Sequence, residues 1–277
     1  MDFLEINIEK LRNGTMKNTF RALENAFEKY NIDFYLIGAF AREMWLSHIE
    51  DLPLRRITRD IDFSLFINEY SDFTNVKKYL SSHEGFIEFA EPFRMQSPEH
   101  VIVDLLPFGG IENGRHVHLN GKTELQLSVF GNIEVLNHAA NIIQDGRKFK
   151  VCTLPGLCIM KLISGHEKSD RFLKDLGDFY YILLNYFTIA GEELYDTYHD
   201  DLIDENFEPS IASARMLGRQ MNQILTGSEE LKTLVIKHLE KMKGPFSYDD
   251  IHEMYEHERK DNDIIKRKLI SEILREL

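Results

Sequence analysis

Two aspartates separated by one residue lie inside a strongly strand-forming run, Thr58-Arg59-Asp60-Ile61-Asp62-Phe63-Ser64-Leu65-Phe66. Side chains at positions i and i+2 of a strand point to the same face of a sheet. The pattern therefore predicts that Asp60 and Asp62 project two carboxylates to one side, while Ile61 and Phe63 enter a core on the other. Because aspartate is depleted in strand interiors, this placement indicates a chemical role for the pair.

A third aspartate, Asp104, stands in a second apolar run, Val101-Ile102-Val103-Asp104-Leu105-Leu106-Pro107-Phe108. A carboxylate buried there without a partner would be costly, which marks Asp104 as functional. Two acids on one strand and one on a neighbouring strand would form an all-oxygen pocket of the kind that Mg²⁺ prefers. Such pockets hold the metals of two-metal phosphoryl and nucleotidyl transfer. The alternative is that the acids are capping or turn carboxylates at a solvent-facing strand edge.

A glycine-containing turn precedes the aspartates by about twenty residues. Phe34-Tyr35-Leu36-Ile37 has the composition of a short buried strand, the strand ends at Gly38-Ala39, and residues 40–49 resume helical spacing. Glycine lets the backbone approach a ligand closely. The N-terminus of the following helix offers free N–H groups to a phosphate. The turn is therefore a candidate phosphate-binding loop.

The chain changes character near residue 150. The first 150 residues alternate predicted strands and helices, and predict a mixed α/β unit with a sheet of three to six strands. Beyond Val151 the strand signals fade, and helical periodicity covers residues 155–164, 172–187, 209–225, 228–242 and 247–276. We therefore predict an α+β protein of two domains, a mixed-sheet domain over 1–150 and an all-helical domain over 151–277.

Composition limits the classes of function. The formal charge of −13 argues against broad nonspecific nucleic-acid binding, which relies on Lys and Arg. No apolar run approaches the roughly 20 residues that span a bilayer, and the N-terminus lacks the basic start and apolar stretch of a signal peptide. The two cysteines, Cys152 and Cys158, give no disulfide framework. We expect a cytoplasmic protein with no membrane association.

Five short motifs occur in order along the chain: Tyr35-Leu36-Ile37-Gly38-Ala39-Phe40-Ala41-Arg42, Thr58-Arg59-Asp60-Ile61-Asp62-Phe63, Val103-Asp104-Leu105-Leu106-Pro107-Phe108-Gly109-Gly110-Ile111, Leu154-Pro155-Gly156-Leu157 with Lys161, and Arg171 with Lys174-Asp175-Leu176-Gly177-Asp178. In this order the chain resembles the AbiEii/AbiGii toxin family of the polymerase-β-like nucleotidyltransferase superfamily, over about residues 30–185. The resemblance implies a polymerase-β-like nucleotidyltransferase domain followed by a helical domain. Superfamily members commonly carry Gly-Ser or Gly-Gly at the turn where this chain has Gly38-Ala39.

The resemblance also implies a set of site residues. Two Mg²⁺ ions would be bound by Asp60, Asp62 and Asp104, and the phosphates of a nucleoside triphosphate would meet the turn at Gly38 and Ala39. Four residues on the first helices of the second domain would face the same cleft: Lys161, Lys174, Asp175 and Asp178. Five candidate cations would surround the triphosphate: Arg42, Arg59, Lys161, Arg171 and Lys174.

The residues themselves permit structural interpretations of two of these groups. Arg42 could pair with an acid of the Asp60 strand instead of a phosphate. Lys174, Asp175 and Asp178 lie at helical spacing and could form only surface ion pairs, which contribute a few tenths of a kcal/mol.

The chemistry that fits these residues is Mg²⁺-dependent transfer of a nucleoside monophosphate from ATP, GTP or another triphosphate to an acceptor hydroxyl. Asp104 would contact that hydroxyl as metal ligand or general base. The resemblance points to tRNA as the acceptor and to a toxin with an antitoxin partner. The alternatives are a small-molecule acceptor such as an aminoglycoside, and a nucleotide- or partner-binding module without turnover, which Ala39 would suit.

One acidic segment stands outside these motifs. Residues 191–208 contain eight acids and no Lys or Arg. The segment is either a solvated surface or a docking face for a basic partner such as a DNA-binding antitoxin.

Overall fold

The computed structural model describes residues 4–5, 16–46, 60–121, 124–144, 147–167, 172–195, 198–243 and 261–277. Two of the predicted site residues, Arg59 and Arg171, lie outside these ranges. The chain divides into two compact units, Met1–Thr153 and Leu154–Leu277.

The described part of the first unit contains ten strands. They are β1 (Leu4–Glu5), β2 (Asp33–Ile37), β3 (Asp60–Phe66), β4 (Ile87–Glu88), β5 (Arg94–Gln96), β6 (Ile102–Phe108), β7 (His116–Leu119), β8 (Leu125–Ser128), β9 (Ala140–Gln144) and β10 (Arg147–Val151). Eight of them form one mixed sheet in the order β1-β9-β10-β2-β3-β6-β5-β4, and β7 pairs with β8 as a separate antiparallel hairpin.

The predicted sheet of three to six strands is too small. The strands β1, β4 and β5 have only two or three residues each, too few for an alternating pattern to be recognised. The strand β10 carries Arg147, Lys148 and Lys150, and so lacks the apolar composition that predicts a buried strand.

The described residues of the first unit also form four helices, α1 (Met16–Lys29), α2 (Gly38–Leu46), α3 (Tyr70–His83) and α4 (Asn132–Leu136). The helix α1 packs Phe20 and Phe27 against Phe63 of β3, with ring centroids 5.6 and 6.0 Å apart. Ile61 and Phe63 are both fully buried, as the alternation around Asp60 and Asp62 predicts. One face of β3 therefore belongs to the core under α1, which leaves the opposite face for the aspartates.

The described part of the second unit is helical. Its helices are α5 (Leu154–Glu167), α6 (Phe172–Ala190), α7 (Pro209–Leu225), α8 (Glu229–Met242) and α9 (Asp261–Glu276), with two short 3₁₀ turns at Gly191–Tyr195 and Asp200–Leu202. Pro209 suits the first turn of α7, where its missing N–H would have no helical partner. The Ser228 hydroxyl caps α8 by accepting a hydrogen bond from the Leu231 amide.

The predicted α+β class, a mixed sheet followed by helices, is confirmed. The predicted helix over 247–276 is observed only from Asp261 onward, since its first part lies outside the described residues. Within the residues that the structure describes, no helix combines the length and the apolar composition needed to cross a membrane.

Candidate functional site

The register of β3 and β6 brings the three aspartates onto neighbouring strands. The two strands are parallel, and Asp62 lies opposite Asp104 in their ladder. Neighbouring strands are about 4.8 Å apart, and residues two positions apart share a face. Asp60 therefore lies on the same face of the sheet as Asp62 and Asp104. The strand geometry expected from the sequence is the one that the structure has.

Asp104 is paired with an arginine that the sequence patterns did not predict. The strand β5 is antiparallel to β6, with Arg94 opposite Asp104. Arg94 Nε donates to Asp104 Oδ1 and Arg94 Nη2 donates to Oδ2, both at 2.7 Å. Because the Asp104 side chain is only 7% exposed, this bidentate ion pair compensates a buried negative charge.

Arg94 also approaches the second acid of the face. Its Nη2 lies 3.9 Å from Asp60 Oδ2, and the Asp60 side chain is 46% exposed. The hydrogen bonds to Asp104 are the largest cause that raises the pKa of Arg94, so the guanidinium keeps its positive charge. Arg94 thus joins the buried and the exposed carboxylate of the face.

The sequence indicates that Asp104 needs a cation nearby, although it does not identify Arg94. A carboxylate in the apolar β6 run requires a cation close by. The strand β5 contains three residues, however, and a segment that short gives no periodicity from which its pairing could be predicted. The sequence was therefore sufficient to predict a cation beside Asp104, and insufficient to predict which residue supplies it.

The glycine of the predicted phosphate loop lies against Asp62. Gly38 has φ +72°, and a Cβ atom on it would stand 2.2 Å from Asp62 Oδ2. Its neighbour Ile37 lies opposite Asp62 in the β2–β3 ladder. Only a residue without a side chain allows the backbone to come this close. Ala39 follows in the first turn of α2 and is buried.

The three aspartates fit Mg²⁺ in donor chemistry and strand placement, but their carboxylates are not arranged around a metal position. Mg²⁺ requires oxygen ligands at about 2.0–2.1 Å. Within the described residues, no group of three His, Cys, Asp or Glu side chains could hold a metal ion as it stands. Both oxygens of Asp104 instead accept hydrogen bonds from Arg94. The guanidinium of Arg94 therefore occupies space beside Asp104 that a metal ion would need.

Arg42, a predicted phosphate ligand, is buried in α2 and only 2% exposed. Its Nη2 lies 3.7 Å from Glu43 Oε1, which is also buried. A buried arginine beside Glu43 of its own helix favours a structural role for Arg42 over contact with a triphosphate, while its predicted pairing with an acid of the Asp60 strand stays a prediction.

The second unit contains a separate cluster of charges. Lys161 Nζ, in α5, donates to Asp175 Oδ1 at 2.6 Å and lies 3.2 Å from Asp178 Oδ2, both in α6. The two carboxylates are buried, and Asp175 Oδ2 accepts no hydrogen bond from any residue that the structure describes. The interpretation of Asp175 and Asp178 as surface ion pairs is therefore wrong. Helical spacing shows which residues share a face, and does not show that another helix covers that face.

The remaining candidate cations differ in what the structure shows of them. Lys174 is exposed on α6, unlike its neighbour Asp175. Arg59 and Arg171 lie outside the described residues, and their roles stay predictions.

The acidic segment at 191–208 is partly neutralised within the second unit. Arg219 donates to both carboxylate oxygens of Asp201, at 2.7 and 2.6 Å, and to Glu276 at 2.9 Å. Glu208 pairs with Lys268 at 3.1 Å. These acids connect elements of the unit through ion pairs, which neither a purely solvated surface nor a docking face predicts.

No protein-family profile matches this chain, and no curated protein matches its sequence. Among solved structures, the chain is similar to the antibiotic-resistance factor ANT(2'')-Ia, with 12% identity and a TM-score of 0.38, covering 88% of this chain and 99% of that one. It is also similar to an antigenic nucleotidyltransferase-like protein from Paracoccidioides brasiliensis, with 13% identity and a TM-score of 0.37, covering 80% of this chain and 91% of that one. At these values neither likeness identifies a family.

Proposed function

We propose that this protein is a divalent-cation-dependent nucleotidyltransferase, which moves a nucleoside monophosphate from a nucleoside triphosphate to an acceptor hydroxyl. The observation that carries the proposal is the arrangement of Asp60, Asp62 and Asp104 on one face of two adjacent parallel strands. The backbone of Gly38, at the start of a helix, lies against the middle carboxylate. Carboxylates that gather Mg²⁺ beside a phosphate-binding turn are what this reaction needs.

In the proposed reaction, the acceptor oxygen forms a bond to the α-phosphorus. The bond between the α-phosphorus and the oxygen that leads to the β-phosphate breaks, and pyrophosphate leaves. Asp104 is the proposed general base that takes the proton of the acceptor hydroxyl, and its carboxylate must part from Arg94 to do so. Two Mg²⁺ ions held by the aspartates would supply positive charge for the triphosphate and for the ionising hydroxyl.

The phosphates would be held by backbone N–H groups at the start of α2, after Gly38. Ala39 offers only its amide, where a serine would add a hydroxyl. From the family resemblance we also propose nucleotide contacts for residues of the second unit and of the undescribed segments, namely Arg59, Lys161, Arg171, Lys174, Asp175 and Asp178.

For the acceptor we propose a cellular RNA, tRNA first, in the setting of a toxin with an antitoxin partner. This rests on the family resemblance alone, and a small molecule such as an aminoglycoside is the other acceptor class. The charge of −13 means that RNA contacts would be local. A basic antitoxin would fit the acidic segment at 191–208, which contains the exposed Tyr195 and Ile203 and the exposed acids Glu192 and Asp200.

A second candidate function is a nucleotide- or partner-binding module without turnover. The ion pair between Arg94 and Asp104 favours it, because a carboxylate that accepts two hydrogen bonds from a guanidinium is a weaker metal ligand and a weaker base. The two functions differ in whether nucleotide is consumed.

The test is incubation of the purified chain with α-³²P-labelled triphosphates, Mg²⁺ and either total tRNA or a panel of aminoglycosides. The wild type should label an acceptor, and Asp62→Asn should lower the rate by about 100-fold or more, as loss of one electrostatic stabiliser does. Asp33→Asn is the matched control. Asp33 is exposed at the far end of β2, about 13 Å along the strand from Ile37, which lies opposite Asp62.

Three outcomes separate the hypotheses. A labelled RNA supports the tRNA acceptor, and a labelled aminoglycoside supports the small-molecule acceptor. Nucleotide that is bound but never consumed, by the wild type and Asp62→Asn alike, would support the binding module and contradict the transferase.

A further inference from the structure

Arg94, Asp104 and Asp62 form one row across three strands. In the ladders, Arg94 of β5 lies opposite Asp104 of β6, and Asp104 lies opposite Asp62 of β3. Residues paired in this way project to the same side of a sheet. The strand register therefore places the Arg94 side chain on the face of the sheet that carries the acids.

The ion pair with Arg94 involves both oxygens of the buried Asp104 carboxylate. Both oxygens of Asp104 accept hydrogen bonds at 2.7 Å, and the Asp104 side chain is 7% exposed. Such a two-pronged contact is the strongest geometry that arginine makes with a carboxylate. Without Arg94, Asp104 would be a buried negative charge with two more carboxylates on its own face of the sheet, which is an unfavourable state.

The side chain of Arg94 has room to move away. It is 31% exposed, and its second contact, to Asp60, is long at 3.9 Å. Opening the pair would move the guanidinium from a partly exposed position towards solvent, and away from the Phe93 ring whose centroid lies 5.8 Å from Arg94 Cζ. The carboxylate left behind would then need another cation.

A divalent cation and this guanidinium cannot both sit at Asp104 without strong repulsion. A metal lies about 2.0–2.1 Å from a carboxylate oxygen, and the guanidinium nitrogens lie 2.7 Å from the same two oxygens. Two positive groups that share one carboxylate stand within a few ångströms of each other, where Coulomb repulsion is large in a buried site.

We propose that Arg94 is a positioning residue that holds Asp104 in the metal-free protein and competes with the divalent cation for it. The inference rests on the proposed function, because it concerns the same three aspartates. Arg94 keeps the buried carboxylate paired while the cation is absent, and cation binding requires the ion pair to open. The aspartates thus have two exclusive arrangements, one with arginine at Asp104 and one with metal.

The experiment measures Mn²⁺ binding to the full chain by the electron paramagnetic resonance signal of free Mn²⁺, without nucleotide. Arg94→Gln should raise the affinity for Mn²⁺ by about 10- to 100-fold over the wild type, the factor that hydrogen bonds to a charged group contribute. Arg94→Lys should give an intermediate affinity, because one ammonium cannot contact both oxygens as the guanidinium does. A purely structural role for Arg94 would not raise metal affinity.

Three further variants serve as controls. Arg21→Gln removes the same charge from an exposed position on α1, which covers the opposite face of β3, and should leave Mn²⁺ affinity unchanged. Asp104→Asn together with Arg94→Gln should lose the gain, since the gain acts through Asp104. Asp62→Asn should weaken Mn²⁺ binding in the wild-type and Arg94→Gln backgrounds.

The results separate this inference from the proposed function. If Asp62→Asn weakens Mn²⁺ binding while folded Arg94→Gln binds Mn²⁺ no better than the wild type, the competition is overturned and the metal site stands. If neither the wild type nor Arg94→Gln binds Mn²⁺ in a way that depends on Asp62, both proposals fail. Circular dichroism identifies folded variants, and Arg94→Lys keeps the test available if Arg94→Gln does not fold.

Discussion

Gly38 and Asp62 are so close that a Cβ atom on the glycine would stand 2.2 Å from Asp62 Oδ2. Gly38 also has φ +72°, a backbone conformation that residues with side chains rarely adopt. The first residue of α2 and Asp62 are therefore in direct contact, and a side chain added at Gly38 would displace the Asp62 carboxylate.

Gly38→Ala should destabilise the protein and reduce Mn²⁺ binding and nucleotidyl transfer. The left-handed backbone alone costs about 1–2 kcal/mol for alanine. The new methyl group must in addition displace the Asp62 carboxylate, since real Cβ atoms do not approach within 2.2 Å. Urea unfolding and Mn²⁺ titration measure the two effects.

Gly114→Ala is a matched control for Gly38→Ala. Gly114 has φ +64°, and a Cβ atom there would meet nothing within 4 Å. It should show the backbone cost alone, with unchanged Mn²⁺ binding. Equal effects of the two substitutions on Mn²⁺ binding would contradict the close contact of Gly38 with Asp62.

Lys161→Met should destabilise the protein by about 3 kcal/mol, because it leaves two buried carboxylates without their lysine. Lys161 Nζ lies 2.6 Å from Asp175 Oδ1 and 3.2 Å from Asp178 Oδ2, and the lysine side chain is 18% exposed. Chemical denaturation at pH 7 measures the change in the free energy of unfolding.

Two comparisons test the cause of that loss. Lys174→Met alters an exposed lysine of α6 and should change stability by no more than about 0.5 kcal/mol. Adding Asp175→Asn to Lys161→Met should restore part of the stability, because one buried charge is removed. A double variant less stable than Lys161→Met would contradict the charge explanation.

The sequence was sufficient to predict the face of the site, because a period of two is a local property of the strand. Asp60 and Asp62 share a face, and Ile61 is buried on the other, whatever the strand pairs with. The shared face of Asp60 and Asp62 needed only a pattern within a few residues. The parallel register that places Asp62 opposite Asp104 joins distant segments, and the two apolar runs do not determine it.

The parts that could not be predicted depend on contacts between distant segments. Arg94 reaches Asp104 from a strand of three residues, and Lys161 meets Asp175 from another helix. In both cases a buried acid indicates that a cation must lie nearby, but the sequence offers several Lys and Arg residues that could be that cation. Tertiary packing determines which of these residues pairs with the acid, and the local periodicity of the sequence contains no information about that packing.

The stability of the second unit should fall on mild acidification. His166 in α5 stacks on His238 in α8, with ring centroids 3.8 Å apart. Burial lowers the pKa of His238 to about 4, with smaller contributions from the positive charges of His166, Lys237 and Lys241. Burial also lowers the pKa of His166. An unfolded histidine has a pKa near 6.5. The unfolded chain therefore binds more protons, so stability is full above about pH 6.5 and falls from there towards pH 4.

His238→Gln should flatten this pH dependence, because a glutamine does not titrate. Urea unfolding at pH 7.5 and pH 5.5 measures the difference in the free energy of unfolding for each variant. His118→Gln replaces an exposed histidine of β7 and should keep the wild-type dependence. A wild-type slope that persists in His238→Gln would assign the acid sensitivity to other groups.

Arg219→Lys should lower the free energy of unfolding. Its guanidinium donates at once to Glu276 Oε2, to both oxygens of Asp201 and to the Tyr198 carbonyl. Lysine has one compact ammonium group, which cannot reach three partners on different elements. Because Asp201 is 54% exposed and its share is screened by water, most of the loss should come from Glu276. We expect about 2 kcal/mol in urea unfolding.

Arg275→Lys is the control for Arg219→Lys. Arg275 lies on α9 like Glu276, but its side chain is 67% exposed and its contact with Glu272 is long at 3.8 Å. It should change stability by no more than about 0.5 kcal/mol. If both substitutions are equally mild, the ion pairs of Arg219 do not hold α9 against α7. The exposed acids around Asp201 would then be free to serve a partner, because their pairing within the unit would carry little of its stability.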